Sequence, residues 1–490
     1  MTKILSQNTK FISDRLLSAL NHAAPANVEW KQSRDGYDIP VYNGVPLHST
    51  YSVAKEAERQ FAAVPSDSDV IIAVGVGAAY HLAQLCQNKN IVAVPVDYSL
   101  FAAVVSHIDL SSHLQNGTLI IEPTELYQTL YGIYTKKPHA KVSIVAGSYF
   151  MSQMRQQTES ICLKAAQCSS QAKTEVLTIG KFGIVWHYNI KKNIRRIFDG
   201  GYDYSPLVMN DKIILVVGAG YSLTQHIGFI KGNRHRFYIA AADTSSAVLV
   251  RNGIVPDSIW TFDAQNISYQ HFLCLSSIKQ PVRVFADFCS PIHIQSENVT
   301  TTLVFSAHPY RRVFEAAGWT LRNIDSGCGN IGSAAIRFFR DYFPDVPLVT
   351  VGIDFAYYNG YSYAKGSYLD GLRMTRQDYF CTAQNFDTAI TYRDKTAAEN
   401  DGWRTTPLMQ GYAAHHAMNE VFSLSTSPFC RMTHITEEAV LALQPTGEHK
   451  LDFASPTLSE AEFHRIEQDY LKQDPTPLLP VEMAKAMYNV

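Results

Sequence analysis

The feature that most constrains this chain is Ile213-Ile-Leu-Val-Val-Gly-Ala-Gly-Tyr-Ser-Leu223. Five consecutive apolar residues read as a strand buried on both faces, which is the habit of a parallel sheet. The glycines Gly218 and Gly220 then allow a tight turn into a helix, with Ser222 at its first turn. A backbone of this kind can aim N–H groups at an anion, and the helix dipole favours negative charge there. About a hundred residues later comes Asp325-Ser-Gly-Cys-Gly-Asn-Ile-Gly332, followed by Leu348-Val-Thr-Val-Gly-Ile-Asp-Phe-Ala-Tyr-Tyr-Asn-Gly-Tyr-Ser-Tyr363. Together the two stretches suggest a nucleotide held by backbone amides, with tyrosines and an aspartate at the end of a neighbouring strand.

At 490 residues the chain is too long for one ordinary core. Its pattern divides into a Rossmann-like N-terminal domain over 1–150, a helical linker over 151–205, a central α/β catalytic domain over 206–395 and a mainly helical region over 396–490. The fold class is therefore α/β, with two Rossmann-like domains in tandem. The first domain centres on Val70-Ile-Ile-Ala-Val-Gly-Val-Gly-Ala-Ala-Tyr80. Position 80 is tyrosine where a dinucleotide fingerprint needs glycine, so the small residues there suit close helix–strand packing, with a nucleoside cofactor bound by Gly75–Gly77 and Asp97 as the alternative. In the central domain the predicted strands are 213–217, 237–241, 258–262, 282–286, 302–305 and 348–351.

Candidate nucleotide-binding residues are Gly218, Ala219, Gly220, Ser222 and Leu223 of the first turn. Ser222 can cap the helix or bind a phosphate oxygen. Asp243, Thr244 and Asp263 stand at successive strand ends, where carboxylates suit ribose or base recognition; helix capping and a turn role are the competing readings. Ser326 and Gly327 open a second helix start. Asp354 ends the strand at 348–351, and Tyr357, Tyr358 and Tyr363 follow it as phenols able to hydrogen-bond a departing phosphate. No metal set emerges: Asp67 and Asp69 precede a strand, and His415 and His416 point to different sides of a helix.

A net charge of −2 argues against a general nucleic-acid grip. No run of 18 apolar residues spans a membrane, and residues 1–20 lack an apolar core of signal-peptide length. Eight scattered cysteines without zinc spacing read as reduced thiols, so a cytoplasmic location is expected.

From about Val28 to Asn419 the chain resembles the motility-associated factor family of bacterial flagellin glycosyltransferases. The resemblance runs through Leu47-His-Ser-Thr-Tyr51, Val74–Leu82, Asn189 and Asn193, Val217–Leu223, Ala242-Asp-Thr244, Gly253–Asp257, Phe262-Asp263 and Val351–Tyr357. The central part is also similar to bacterial sialyltransferases that use CMP-activated sugars, through Gly218–Leu223, Ser326-Gly327, Gly352–Phe355 and Asn359–Ala364. The resemblance implies transfer of a pseudaminic- or legionaminic-type acid from its CMP form to Ser or Thr of flagellin. It implies Tyr363, with Tyr357 or Tyr358, at the leaving phosphate, and neither a metal nor a resident cofactor. Archaeal 6-hydroxymethylpterin diphosphokinases, which would need Mg²⁺ and ATP, resemble the same domain; a non-catalytic flagellar assembly protein is the other alternative.

The chain departs from these patterns. Tyr221 stands where the motility-associated family has proline, Ala219 where the sialyltransferases have asparagine, and Asp243 and Asp263 where asparagines are expected. The catalytic histidine of the sialyltransferases has no counterpart in Asn400–Pro407, which leaves Asp401, Asp354 and His308 as candidate bases.

Overall fold

A computed structural model describes residues 5–466 apart from 63, 86–89, 113, 115–116, 293–296, 307–321, 323, 325–328, 396, 415–420, 446 and 454–458. The described residues form two compact units, one up to Lys181 and one from Phe182 onward. The predicted linker is a single 44-residue helix, α1 (Arg155–Phe198), whose residues divide between the units at that point.

The first unit is built on four parallel strands, β1 (Val70–Val74), β2 (Asn90–Val94), β3 (Thr118–Ile120) and β4 (Val142–Ala146). Their order is β3-β2-β1-β4. The chain winds outward from β1 and then returns to its other side, which makes the β1–β4 gap a topological switch point. Val70–Val74 is buried throughout, as a parallel strand covered on both faces must be. A hairpin forms from Glu29–Gln32 and Asp38–Tyr42, and Asn43-Gly44 turns the chain into Val45–Pro46.

The second unit carries eight strands in one sheet: β5 (Ile213–Val217), β6 (Phe237–Ala242), β7 (Ser258–Thr261), β8 (Val282–Asp287), β9 (Val299–Val304), β10 (Leu348–Val351), β11 (Phe422–Ser423) and β12 (Thr433–His434). The order is β9-β8-β7-β6-β5-β10-β11-β12, with every pairing parallel. Here β5 and β10 flank the switch point, in the register Leu215↔Val349 and Val217↔Val351. One face of the sheet stacks Trp260 on Phe285 at 4.5 Å and meets Phe338 of α4 (Ile331–Tyr342) at 4.9 Å.

The segment after residue 400, expected to be mainly helical, carries strands as well as helices. Besides helices Pro407–Ala414, Glu437–Ala442 and Glu460–Ile466, it supplies β11 and β12 and the strand Glu448–Leu451, which pairs antiparallel with Leu207–Asn210. Two-residue strands are too short to show a period, so pairing with an existing sheet edge makes them. Ser459–Glu462 forms a capping box, Glu462 accepting from the Ser459 backbone N–H at 2.8 Å. Among the described residues no helix is long and apolar enough to cross a membrane.

Two polar devices hold these units. Asn189 and Asn193, one turn apart on α1, donate to the carbonyls of Ala264 and Cys289 and of Phe288 and Ser290, at 2.8 to 2.9 Å. They satisfy buried carbonyls in the loops after β7 and β8, where an unpaired group would carry its full desolvation cost. In the first unit, burial acts to raise the Glu56 carboxyl. His48, the Ser49 N–H and the Ser148 hydroxyl outweigh it and hold the group down at about 2.

Asn193→Ala is expected to lower the stability of the second unit by about 2 kcal/mol, read as a shifted urea midpoint. Glu56, depressed from 4.5 to about 2, contributes stability present above pH 4.5 and lost as pH falls toward 2. Glu56→Gln should therefore flatten the acid side of the thermal-stability profile across that window, and an unchanged profile would refute the assignment.

Candidate functional site

At the second unit's switch point the two strand ends meet backbone to backbone. Gly218 N–H donates to the Val351 carbonyl and Gly220 N–H to the Gly352 carbonyl, each at 2.8 Å. Glycine is required at both places: a Cβ on Gly218 would stand 2.3 Å from the Gly352 oxygen, and one on Gly220 2.4 Å from Asp354 Oδ2. Gly352 itself turns at φ +69°.

Asp354 then staples the turn. Its carboxylate, 2% exposed, accepts from the Ser222 N–H at 3.0 Å and from the Ser222 hydroxyl, and that hydroxyl accepts from Gly352 N–H at 2.8 Å. Burial raises the Asp354 carboxyl above its usual range even though the Ser222 bonds pull it down. This arrangement corrects the expected role of the turn. The amides of Gly218, Gly220 and Ser222 and the Ser222 hydroxyl are already committed to the neighbouring strand end, and Leu223 is core. Among the described residues, Ala219 and Tyr221 are left as the amides of the turn without a protein acceptor. The Asp354 carboxylate is likewise sealed from solvent.

The tyrosine segment packs directly on this turn. Ala364 N–H donates to the Ala219 carbonyl at 2.7 Å, and Lys365 N–H to the Thr224 hydroxyl at 3.1 Å. Tyr358 and Tyr361 pair across a two-residue Asn359-Gly360 turn whose φ values are +45° and +80°. Tyr221, the first residue of α2 (Tyr221–Gly232), lays its ring 4.6 Å from Tyr358 and 5.8 Å from Tyr361, and Tyr358 meets Trp403 at 4.7 Å. The proline-to-tyrosine departure therefore becomes an aromatic stack.

Tyr363 is positioned from the other side. Arg373 of α5 (Tyr368–Arg376) is 8% exposed and pairs with Asp387 of α6 (Ala383–Thr391), which also accepts from the Ser362 hydroxyl at 2.6 Å. The Arg373 guanidinium lies 5.6 Å from the Tyr363 ring. Burial raises the phenol of Tyr363, partly offset by Arg373, and burial followed by Tyr363 raises that of Tyr357. Both phenols stay protonated near neutral pH and can act as donors. Nothing in the sequence links Arg373 to Asp387, which sits 14 residues away on another helix; only the packing reveals the pair.

The acidic candidates separate. Asp243 opens α3 (Asp243–Arg251) fully buried, accepting from Thr261 at 2.8 Å and from Thr244 N–H at 2.6 Å. Burial raises its carboxyl and the nearby His271 works against that shift. Asp263 accepts from Gln265 N–H at 2.9 Å, an Asx turn, which is the competing reading the sequence left open. Asp401 is exposed in the Asp401-Gly402 turn of the hairpin joining Ala398–Asn400 to Trp403–Thr405. That hairpin touches the site, because Asn359 N–H donates to the Gly402 carbonyl at 2.9 Å. Ser326, Gly327, His308, His415 and His416 lie outside the described residues. The helix expected after Ser326 is α4, and Asn330 caps it through Ser333 N–H at 2.9 Å.

In the first unit the corresponding glycine turn is filled by the chain itself. A Cβ on Gly75 would strike the Phe150 ring at 2.3 Å, and one on Gly77 would meet His48 Nε2 at 2.7 Å. His48 Nε2 accepts from Ala78 N–H at 3.0 Å, at the place where a phosphate oxygen would sit, and Asp97 caps the helix at Tyr98–His107. Asp67 and Asp69 are engaged by Lys141 and Lys137. Among the described residues no three His, Cys, Asp or Glu side chains stand together as a metal site.

A family model described as 6-hydroxymethylpterin diphosphokinase MptE-like matches residues 188–360, which run from α1 through the glycine turn to the Asn359-Gly360 turn. An uncharacterized protein of Treponema pallidum (strain Nichols) is 21% identical over 350 residues, 69% of this chain. The chain spans 60% of that relative's length. Among solved structures, a MAf glycosyltransferase from Magnetospirillum magneticum AMB-1 superposes with a TM-score of 0.52 at 11% identity, covering 96% of this chain and 79% of that one. The chain shares the fold of that glycosyltransferase, a parallel α/β architecture in both units.

Proposed function

We propose that this chain is a glycosyltransferase that moves a nonulosonic acid of the pseudaminic or legionaminic type from its CMP form to Ser or Thr hydroxyls of flagellin, in support of flagellar assembly and motility. The observation that carries the reading is the junction at the β5–β10 switch point. There the Gly218–Gly220 turn, the Tyr221–Tyr358–Tyr361 stack and the Tyr363 segment are hydrogen-bonded into one corner. Open α/β sheets bind nucleotides at this place, and the fold shared with a MAf glycosyltransferase supports transfer of a sugar.

On this reading the donor phosphate meets the Ala219 and Tyr221 amides at the α2 N-terminus, and Tyr363 and Tyr357 give hydrogen bonds to the charge that develops as CMP leaves. The acceptor oxygen attacks the anomeric carbon while a side chain removes its proton. The CMP-sugar is a substrate, and the reading calls for neither a metal nor a resident cofactor. It places the reaction in the cytoplasm, where activated sugars and unassembled flagellin would meet. A second reading is supported by the family-model match over 188–360: Mg-ATP-dependent diphosphate transfer to a hydroxymethylpterin.

Calorimetric titration of the full chain with CMP, ATP and 6-hydroxymethylpterin, each with and without Mg²⁺, separates the two. CMP should bind without the metal. Mg²⁺-dependent binding of ATP would favour diphosphate transfer, and no nucleotide binding would favour a non-catalytic assembly protein. Tyr363→Phe should lower kcat by about 10²-fold with an unchanged melting curve. Wild-type turnover in that variant would remove the phenol from the mechanism.

A further inference from the structure

His271 lies outside every motif considered above. It sits in the 3-10 segment Asn266–Ser277, which follows the Asp263 turn and packs along α3. Its Nδ1 is buried and has no hydrogen-bond partner. A buried imidazole nitrogen left unpaired loses its hydration without return, so a bound group that supplies the missing partner is favoured there.

The surroundings connect this nitrogen to the site. The His271 ring meets Tyr368 edge-on, centroids 5.9 Å apart and planes at 87°. Tyr368 opens α5 five residues after Tyr363, and Arg251 at the end of α3 donates to the Gly366 carbonyl at 2.8 Å, pinning the two segments together. Asp243 opens α3, the helix along which the His271 segment packs, and it accepts from Thr261 at the end of β7 at 2.8 Å. An imidazole with one nitrogen unpaired and a buried carboxylate thus lie on neighbouring elements that follow β6 and β7.

We infer that His271 takes the proton of the acceptor hydroxyl, with the Asp243 carboxylate stabilising the imidazolium that forms. This inference rests on the glycosyl-transfer reading. In the step, the acceptor oxygen forms its bond to the anomeric carbon as the bond from that carbon to the CMP phosphate oxygen breaks. The electron pair leaves on the phosphate, and the hydroxyl proton moves to His271 Nδ1, which releases it as the products leave. His271 is the catalytic residue, and Asp243 acts through it.

The test measures CMP release from CMP-pseudaminic acid, with a flagellin segment containing Ser and Thr as acceptor. Wild type is compared with His271→Ala, His271→Gln and Asp243→Asn, all as full chains. CMP binding by calorimetry certifies that each variant is folded. His271→Ala and His271→Gln should lose about 10²-fold or more in turnover while retaining CMP affinity, and added imidazole should restore part of the His271→Ala rate. Asp243→Asn should lose about tenfold in turnover and respond less to Tyr363→Phe than wild type does. A CMP-binding His271→Ala or His271→Gln protein that turns over like wild type overturns the assignment alone. A wild-type chain that binds CMP and releases none from the donor overturns the glycosyl-transfer reading, and this assignment with it.

Discussion

The second unit depends on one buried carboxylate. Asp354 has left water, and its cost is offset by the Ser222 N–H and hydroxyl, with Gly352 N–H completing the network through the same hydroxyl. That network ties the end of β10 to the turn after β5, two strands separated by more than 130 residues of chain. Because Gly218 and Gly220 have no side chains, the two backbones can close to hydrogen-bonding distance. The start of α2 and the tyrosine segment inherit their positions from this contact.

The two units use one topological device and end it differently. Each sheet winds outward from its first strand and returns to the other side, leaving a switch point edged by glycine. In the first unit Phe150 and His48 occupy the glycine concavity, and a histidine nitrogen takes the amide a phosphate would otherwise receive. In the second unit the neighbouring strand end takes several amides, and an aromatic stack built on Tyr221 borders the rest. A Gly-x-Gly turn after a buried strand therefore reports close packing first. Ligand contact needs amides that the protein has not already used.

The tyrosines show how a loop acquires fixed geometry. Asn359 and Gly360 adopt left-handed backbone and close a hairpin, which sets Tyr358 beside Tyr361. The buried Arg373–Asp387 pair holds Ser362 by hydrogen bond, and with it the orientation of its neighbour Tyr363. Removing one member would leave the other charge buried and unpaired, so position and stability are coupled there.

Local chemistry determined much of this protein by itself. The continuous apolar run Ile213–Val217 could be read as a strand covered on both faces, and the glycines at 218 and 220 as a tight turn into a helix. These features depend on neighbours within a few residues, where steric and hydrophobic rules act directly. Tertiary structure decided the rest. It set β10 beside β5, committed the Ser222 hydroxyl to Asp354, paired Arg373 with Asp387, and placed the short strands Phe422–Ser423 and Thr433–His434 on a sheet edge. It also packed the segment that carries His271 along α3, which Asp243 opens. Each of these is a partnership between segments far apart in the chain, and no local pattern encodes which polar group will find which partner once both are buried.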